Sequence, residues 1–115
     1  MTEIYKEIVK ILDSKKGEDI KVIKTEGHTI ISDYFVVCNG TSNTHVKALA
    51  DEVEYEMEKI GIKPAHIEGR ATGWILLDYS EVLVHIFTKE SRDFYNLERL
   101  WTDAEIMDIS DIITD

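Results

Sequence analysis

The residues best suited to chemistry stand at 39–45 and read NGTSNTH. Gly40 is followed by the hydroxyls of Thr41, Ser42 and Thr44, between an apolar stretch and a helical repeat. A helix N-terminus has free N–H groups, so a glycine with hydroxyls there can cradle a phosphate. The segment lacks the lysine and spacing of a P-loop and the GxGxxG of a dinucleotide site. A capping turn is the simpler reading, with Ser42 or Asn43 accepting from the first helical N–H groups.

The Gly-Ser turn opening a helix also resembles nucleotidyltransferases, whose next strand carries a pair of metal-binding carboxylates. Here the following strand, PAHIEG at 64–69, offers Glu68 but no second acid two residues away. Two-metal phosphoryl transfer needs clustered carboxylates to hold its cations. The catalytic half of such a site is therefore missing, and no catalytic residue, metal or cofactor is expected. His28, His45, His66 and His85 are scattered, with no i, i+4 ligand pair and no cysteine cluster. His85, inside VLVHIF, reads as a hydrogen-bonded histidine within a sheet. Cys38 lies in an apolar strand and reads as a buried, inert thiol.

The elements that must position these residues follow from periodicity. Ile4, Ile8, Ile11 and Leu12 repeat at helical spacing, with Thr2 as a possible cap and Gly17 as a stop. DIKVIKT at 19–25 reads as a strand, EGH at 26–28 as a turn, and DYFVVCN at 33–39 as a strand buried on both faces. Val46, Leu49, Ala50, Val53, Met57 and Ile60 mark a second helix, closed by Gly61 with Ile62 beyond it. Pro64 opens a short strand through Ile67. WILLDY at 74–79 and VLVHIFT at 82–88 form an antiparallel hairpin turning near Ser80. Ser91 can cap a last helix carrying Phe94, Leu97, Leu100 and Trp101, and the acidic tail from Thr102 is expected to fray. The expected fold is α/β, in the order α-β-β-α-β-β-β-α: a mixed five-stranded sheet flanked by helices, with one crossover between parallel neighbours.

In the strand WILLDY, Trp74, Leu76 and Asp78 share one face, and Ile75, Leu77 and Tyr79 the other. Two apolar faces mean burial on both sides within the fold, or burial of one side by a partner. Trp and Tyr make good interface anchors because they combine large area with a polar handle. Periodicity alone leaves core and contact equally open.

Composition bounds the rest. The chain has 115 residues, 43% hydrophobic and 31% charged, which suits one globular domain spanning 1–115. No apolar run reaches the roughly 20 residues of a membrane span, and the first residues lack the basic start of a signal peptide. A single cysteine gives no disulfide framework, so a cytoplasmic protein is expected. Asp and Glu number 23 against 13 Lys and Arg, a net charge of −10. That excess opposes binding to nucleic-acid phosphates and suits either plain solubility or a basic partner.

Taken in order, SDYFVVCNGTSNTHVKALADEVE, GIKPAHIEG and WILLDYSEVLVHIFTKESRDFYNLERLW resemble the ribosomal silencing factors, also called the Iojap family. The resemblance runs without a gap from about Asp19 to Trp101, leaving 102–115 as an acidic tail. It implies a nucleotidyltransferase-like fold without catalysis. It also implies a translation repressor that binds the large ribosomal subunit through ribosomal protein fourteen, blocks joining of the small subunit under nutrient limitation, and forms a homodimer. Carried over by motif, the ribosome-binding set is Trp74, Leu76, Leu77, Asp78 and Tyr79, joined by Tyr95, Asn96 and Glu98. The family usually has an acid where this chain has Asn96. Phe94, Leu97 and Leu100 are expected in the core. The rival readings are a large-subunit assembly factor and an active nucleotidyltransferase.

Overall fold

The computed structural model describes residues 4–25, 33–69, 73–96, 99 and 104–113. Along the chain run α1 (Ile4–Ser14), β1 (Glu18–Lys24), β2 (Tyr34–Gly40), α2 (Asn43–Lys59), β3 (His66–Glu68), β4 (Trp74–Asp78), β5 (Val82–Thr88), α3 (Lys89–Tyr95) and β6 (Glu105–Ile106). The strands form one mixed sheet in the order β3-β4-β5-β2-β1-β6. Among the described strands only β2 and β5 pair in parallel, and the other neighbours are antiparallel. The crossover from β2 therefore lands on β5 rather than on β3, which sits at the sheet edge.

The sheet has six strands, not the expected five. The sixth lies in the tail, where acids alternate with apolar residues. Ile106 pairs with Ile23, the Met107 N–H donates to the Val22 carbonyl (2.8 Å), and Ile109 is buried in the core. The excess of acids suggested fraying, but Met107, Ile109, Ile112 and Ile113 pack against the core and hold the tail, while Ile106 stays exposed.

The main core lies between one sheet face and the helices α1 and α2. Ile8 and Leu12 from α1 and Leu49, Val53 and Met57 from α2 cover Val22, Val36, Ile75, Leu77, Val84 and Ile86. A smaller cluster on the opposite face centres on Ile23, Val37 and Phe87, with Phe35 and Trp74 packed on it. β2 is thus buried on both faces, as its uninterrupted apolar run predicts.

Both long helices end as their sequences suggest, with one difference. At the end of α2, Gly61 takes the left-handed conformation (φ 85°) and the Ile62 N–H bonds back to the Met57 carbonyl at 3.0 Å. After α1 it is Lys16 that turns left-handed (φ 63°), while Gly17 donates to the Leu12 carbonyl at 2.8 Å. Gly17 is needed for close approach instead. A Cβ there would stand 2.6 Å from Cys38 Sγ and 3.0 Å from the Leu12 carbonyl oxygen. Gly17→Ala should cost about 2 kcal/mol by forcing strand and helix apart, measured as a shift of the urea midpoint. An unshifted midpoint would show that the contact relaxes freely.

The last helix departs most from expectation. Thr88, not Ser91, caps it, and the Ser91 N–H donates to Thr88 Oγ1 at 3.2 Å. It stops at Asn96, which adopts φ 45°, a conformation asparagine tolerates. The helix has seven residues, too few for the long apolar repeat. Phe94 is accordingly 76% exposed rather than core. Thr2, the turn at 26–28, Leu97, Leu100 and Trp101 lie outside the described residues.

Candidate docking face of the sheet

Residues directly paired across strands point to the same sheet face. Trp74 pairs with Phe87, Leu76 with Glu68 and His85, and Asp78 with His66 and Leu83. All of these lie on the face opposite α1 and α2. Trp74, Leu76 and Asp78 are half-buried there. Leu77 and Tyr79, expected among the contact residues, point the other way and are 0% and 5% exposed. They belong to the core under the two long helices. Burial pushes the Tyr79 hydroxyl up to about 12.

Trp74 organises this face. Its indole N–H donates to His85 Nδ1 at 3.1 Å. Its ring stacks on Phe87 at 5.0 Å between centroids and meets Tyr95 of α3 at 4.6 Å. Phe94 stands edge-on to Tyr95 at 5.1 Å. An aromatic run thus leads from buried Phe87 through Trp74 and Tyr95 to exposed Phe94. A shallow cleft of about 290 Å³ beside it is lined by Glu68, Gly69, Trp74 and Leu76.

Carboxylates frame the apolar centre. Asp78 Oδ1 accepts the Ser80 N–H at 2.8 Å, which fixes the side chain at the hairpin turn. Glu68 at the edge pairs with His66 across 2.9 Å, both exposed. Asn96 caps α3, donating its backbone N–H to the Arg92 carbonyl at 2.8 Å, and its side chain is exposed beside Tyr95. Glu98 lies outside the described residues. The fold therefore places Trp74, Leu76 and Asp78 along one face of β4, with Tyr95 and Asn96 beside its Trp74 end and Asp78 at its hairpin end.

Arg92 was not singled out by the sequence, yet it holds α3 in place. It is 5% exposed, and its Nη1 donates to the Asp19 carbonyl (2.6 Å) and to Asn39 Oδ1 (3.0 Å). Nη2 stands 3.5 Å from the Asp19 carboxylate. α3 is short and its aromatics face outward, so apolar burial alone cannot anchor it.

The NGTSNTH turn is a structural joint. Ser42 Oγ accepts the His45 N–H at 3.1 Å, capping α2. His45 Nδ1 accepts the Thr41 N–H and Nε2 donates to the Lys15 carbonyl, each at 2.9 Å, tying α2 to the end of α1. The adjoining cleft of about 410 Å³ is lined by Glu18 and Glu90 as well as Thr41, Ser42 and Lys89, and the two carboxylates disfavour an anion there. Among the described residues no group of three or more His, Cys, Asp or Glu could hold a metal ion. Cys38 is buried, and desolvation pushes its thiol up to about 12, far from reactivity. No helix among the described residues is long and apolar enough to cross a membrane.

The family model described as "Ribosomal silencing factor during starvation" matches residues 1–115. The chain is 40% identical over 98 residues to the ribosomal silencing factor of Bacillus subtilis, covering 84% of this chain and 83% of that protein. It is 34% identical over 113 residues to the corresponding factor of Halalkalibacterium halodurans, covering 97% of each. A crystal structure of a protein from Chromobacterium violaceum superposes with a TM-score of 0.84 at 34% identity, covering 86% of this chain and 83% of that one. With a match along its whole length and relatives of the same size, the chain belongs to the ribosomal silencing factor family.

Proposed function

We propose that the protein binds the large ribosomal subunit through ribosomal protein fourteen, blocks joining of the small subunit, and so represses translation when nutrients run short. The observation that carries this reading is the Trp74 face: a half-buried aromatic centre within a rim of carboxylates, in a chain of this family. Such a centre matches the anatomy of a protein interface, where aromatic anchors sit inside a polar rim. The action requires no chemistry, because occupying a surface that the small subunit must touch is sufficient. A net charge of −10 draws the protein to a basic ribosomal protein and away from RNA phosphates. Homodimerisation in the cytoplasm belongs to the same reading, and light scattering over a concentration series tests the dimer.

Co-sedimentation with isolated large subunits at moderate salt is the decisive experiment. Wild type should travel with the subunit and should lower the yield of whole ribosomes in a joining assay. Trp74→Ala and Asp78→Lys should each weaken binding about 30-fold, the loss of one hot-spot contact, while the circular dichroism spectrum stays that of the folded domain. The reading fails if wild type never co-sediments. If Trp74→Ala unfolds the chain, Trp74 serves the core rather than a partner.

A further inference from the structure

We propose that His85 is the positioning residue of this docking face: its ring holds the Trp74 indole in the orientation that a partner meets. The inference rests on the docking reading above. It starts from a cost that the fold alone does not explain.

His85 lies in the middle of β5 and is 5% exposed. Its ring packs on Phe35 at 4.8 Å, Trp74 at 5.8 Å and Phe87 at 6.1 Å. The neighbours on the same face of its own strand, Leu83 and Phe87, are apolar, and an apolar side chain would suit this position equally. The imidazole instead accepts the Trp74 N–H through Nδ1. A neutral ring that accepts at Nδ1 carries its proton on Nε2. That Nε2–H is buried and has no hydrogen-bond partner among the described residues. An unpaired buried donor is destabilising by more than one neutral hydrogen bond returns. His85 is therefore a poor choice for stability alone.

What it supplies is an acceptor beneath the sheet surface for the Trp74 N–H. With its N–H held from the inside, the indole lies across Phe87 and Tyr95 and presents its remaining surface outward. Without that acceptor the half-buried N–H must turn toward water, and the ring turns with it. Burial also keeps the imidazole in its neutral, accepting form through the physiological range.

The test uses the full chain with 15N-labelled tryptophan, the Trp74 indole resonance being assigned by its loss in Trp74→Phe. His85→Phe should move that resonance upfield, weaken co-sedimentation with isolated large subunits about tenfold, and leave the thermal midpoint unchanged or raised. His85→Asn, which offers an acceptor near the Nδ1 position, should recover most of the affinity. In a Trp74→Phe background, His85→Phe should cause no further loss, because its action passes through the indole. Wild-type affinity in His85→Phe overturns the inference, as does an equal loss in the Trp74→Phe background or a loss that only follows unfolding. If wild type itself does not co-sediment, the docking reading falls and takes this inference with it. Wild-type binding with an indifferent His85→Phe removes the inference alone.

Discussion

Replacing Arg92 by methionine should lower the stability of the domain by about 3 kcal/mol, read as a lower urea midpoint at unchanged slope. The methionine keeps most of the aliphatic stem, so the loss is one of hydrogen bonds rather than packing. Two bonds from a charged donor disappear, to the Asp19 carbonyl and to Asn39 Oδ1. Hydrogen bonds to a charged group contribute about 1.5–3 kcal/mol each. Asn39 is only 7% exposed, so its amide oxygen loses a partner where water has little access. The Asp19 carboxylate adds little, since its side chain is 56% exposed and 3.5 Å away. Arg92→Lys should recover only part of the loss, because an ammonium cannot reproduce the planar fork. The same substitution should loosen α3 and with it Tyr95, the outer wall of the Trp74 site. If Arg92→Met unfolds within about 0.5 kcal/mol of wild type, the ordinary scatter of surface changes, then α3 is anchored by something else.

Local signals carried most of the regular elements and the caps of α2. The run DYFVVCN, Ser42 before a helical repeat, and Gly61-Ile62 after it depend on neighbours within a few residues, and each forms as its spacing implies. What was not legible depends on distant partners or on a choice between equals. WILLDY offers nearly the same apolarity on both faces, so periodicity pairs Trp74 with Asp78 but cannot say which side the helices cover. Only once α1 and α2 occupy one face do Leu77 and Tyr79 become core, while Trp74 and Leu76 stay half-buried on the other face. Arg92 reaches acceptors 73 and 53 residues away in the chain, which no window can contain. Phe94 misled because the 94, 97, 100, 101 repeat assumes a continuous helix, whereas the left-handed Asn96 ends it. The tail misled in the opposite sense: its charge masked an apolar alternation strong enough to pair with an edge strand.

Acid should destabilise the protein through His85 as the pH falls below neutrality. Desolvation lowers the folded-state value of His85 from 6.5 to about 4. No charged group shares in that shift. The charged residues in its cross-strand row, Glu68 and Lys21, stand two strands away on either side. Above pH 6.5 the imidazole is neutral in both the folded and unfolded chain, and its contribution is fully present. Between 6.5 and about 4 the unfolded chain binds a proton that the folded one refuses, so unfolding becomes progressively easier as pH falls. The shift corresponds to about 3 kcal/mol lost across that window, with no further loss from this group below it. Asp108, an exposed carboxylate held low by Ser110, responds only at more acid pH. Urea titrations from pH 7.5 to 4 should therefore show a falling midpoint in wild type and a much flatter profile in His85→Phe. An equally steep profile in the variant would assign the acid sensitivity to another group and leave His85 free to protonate in the folded state. The neutral ring stays an acceptor for the Trp74 N–H at neutral pH, so the proposed docking face stays set wherever the domain stays folded.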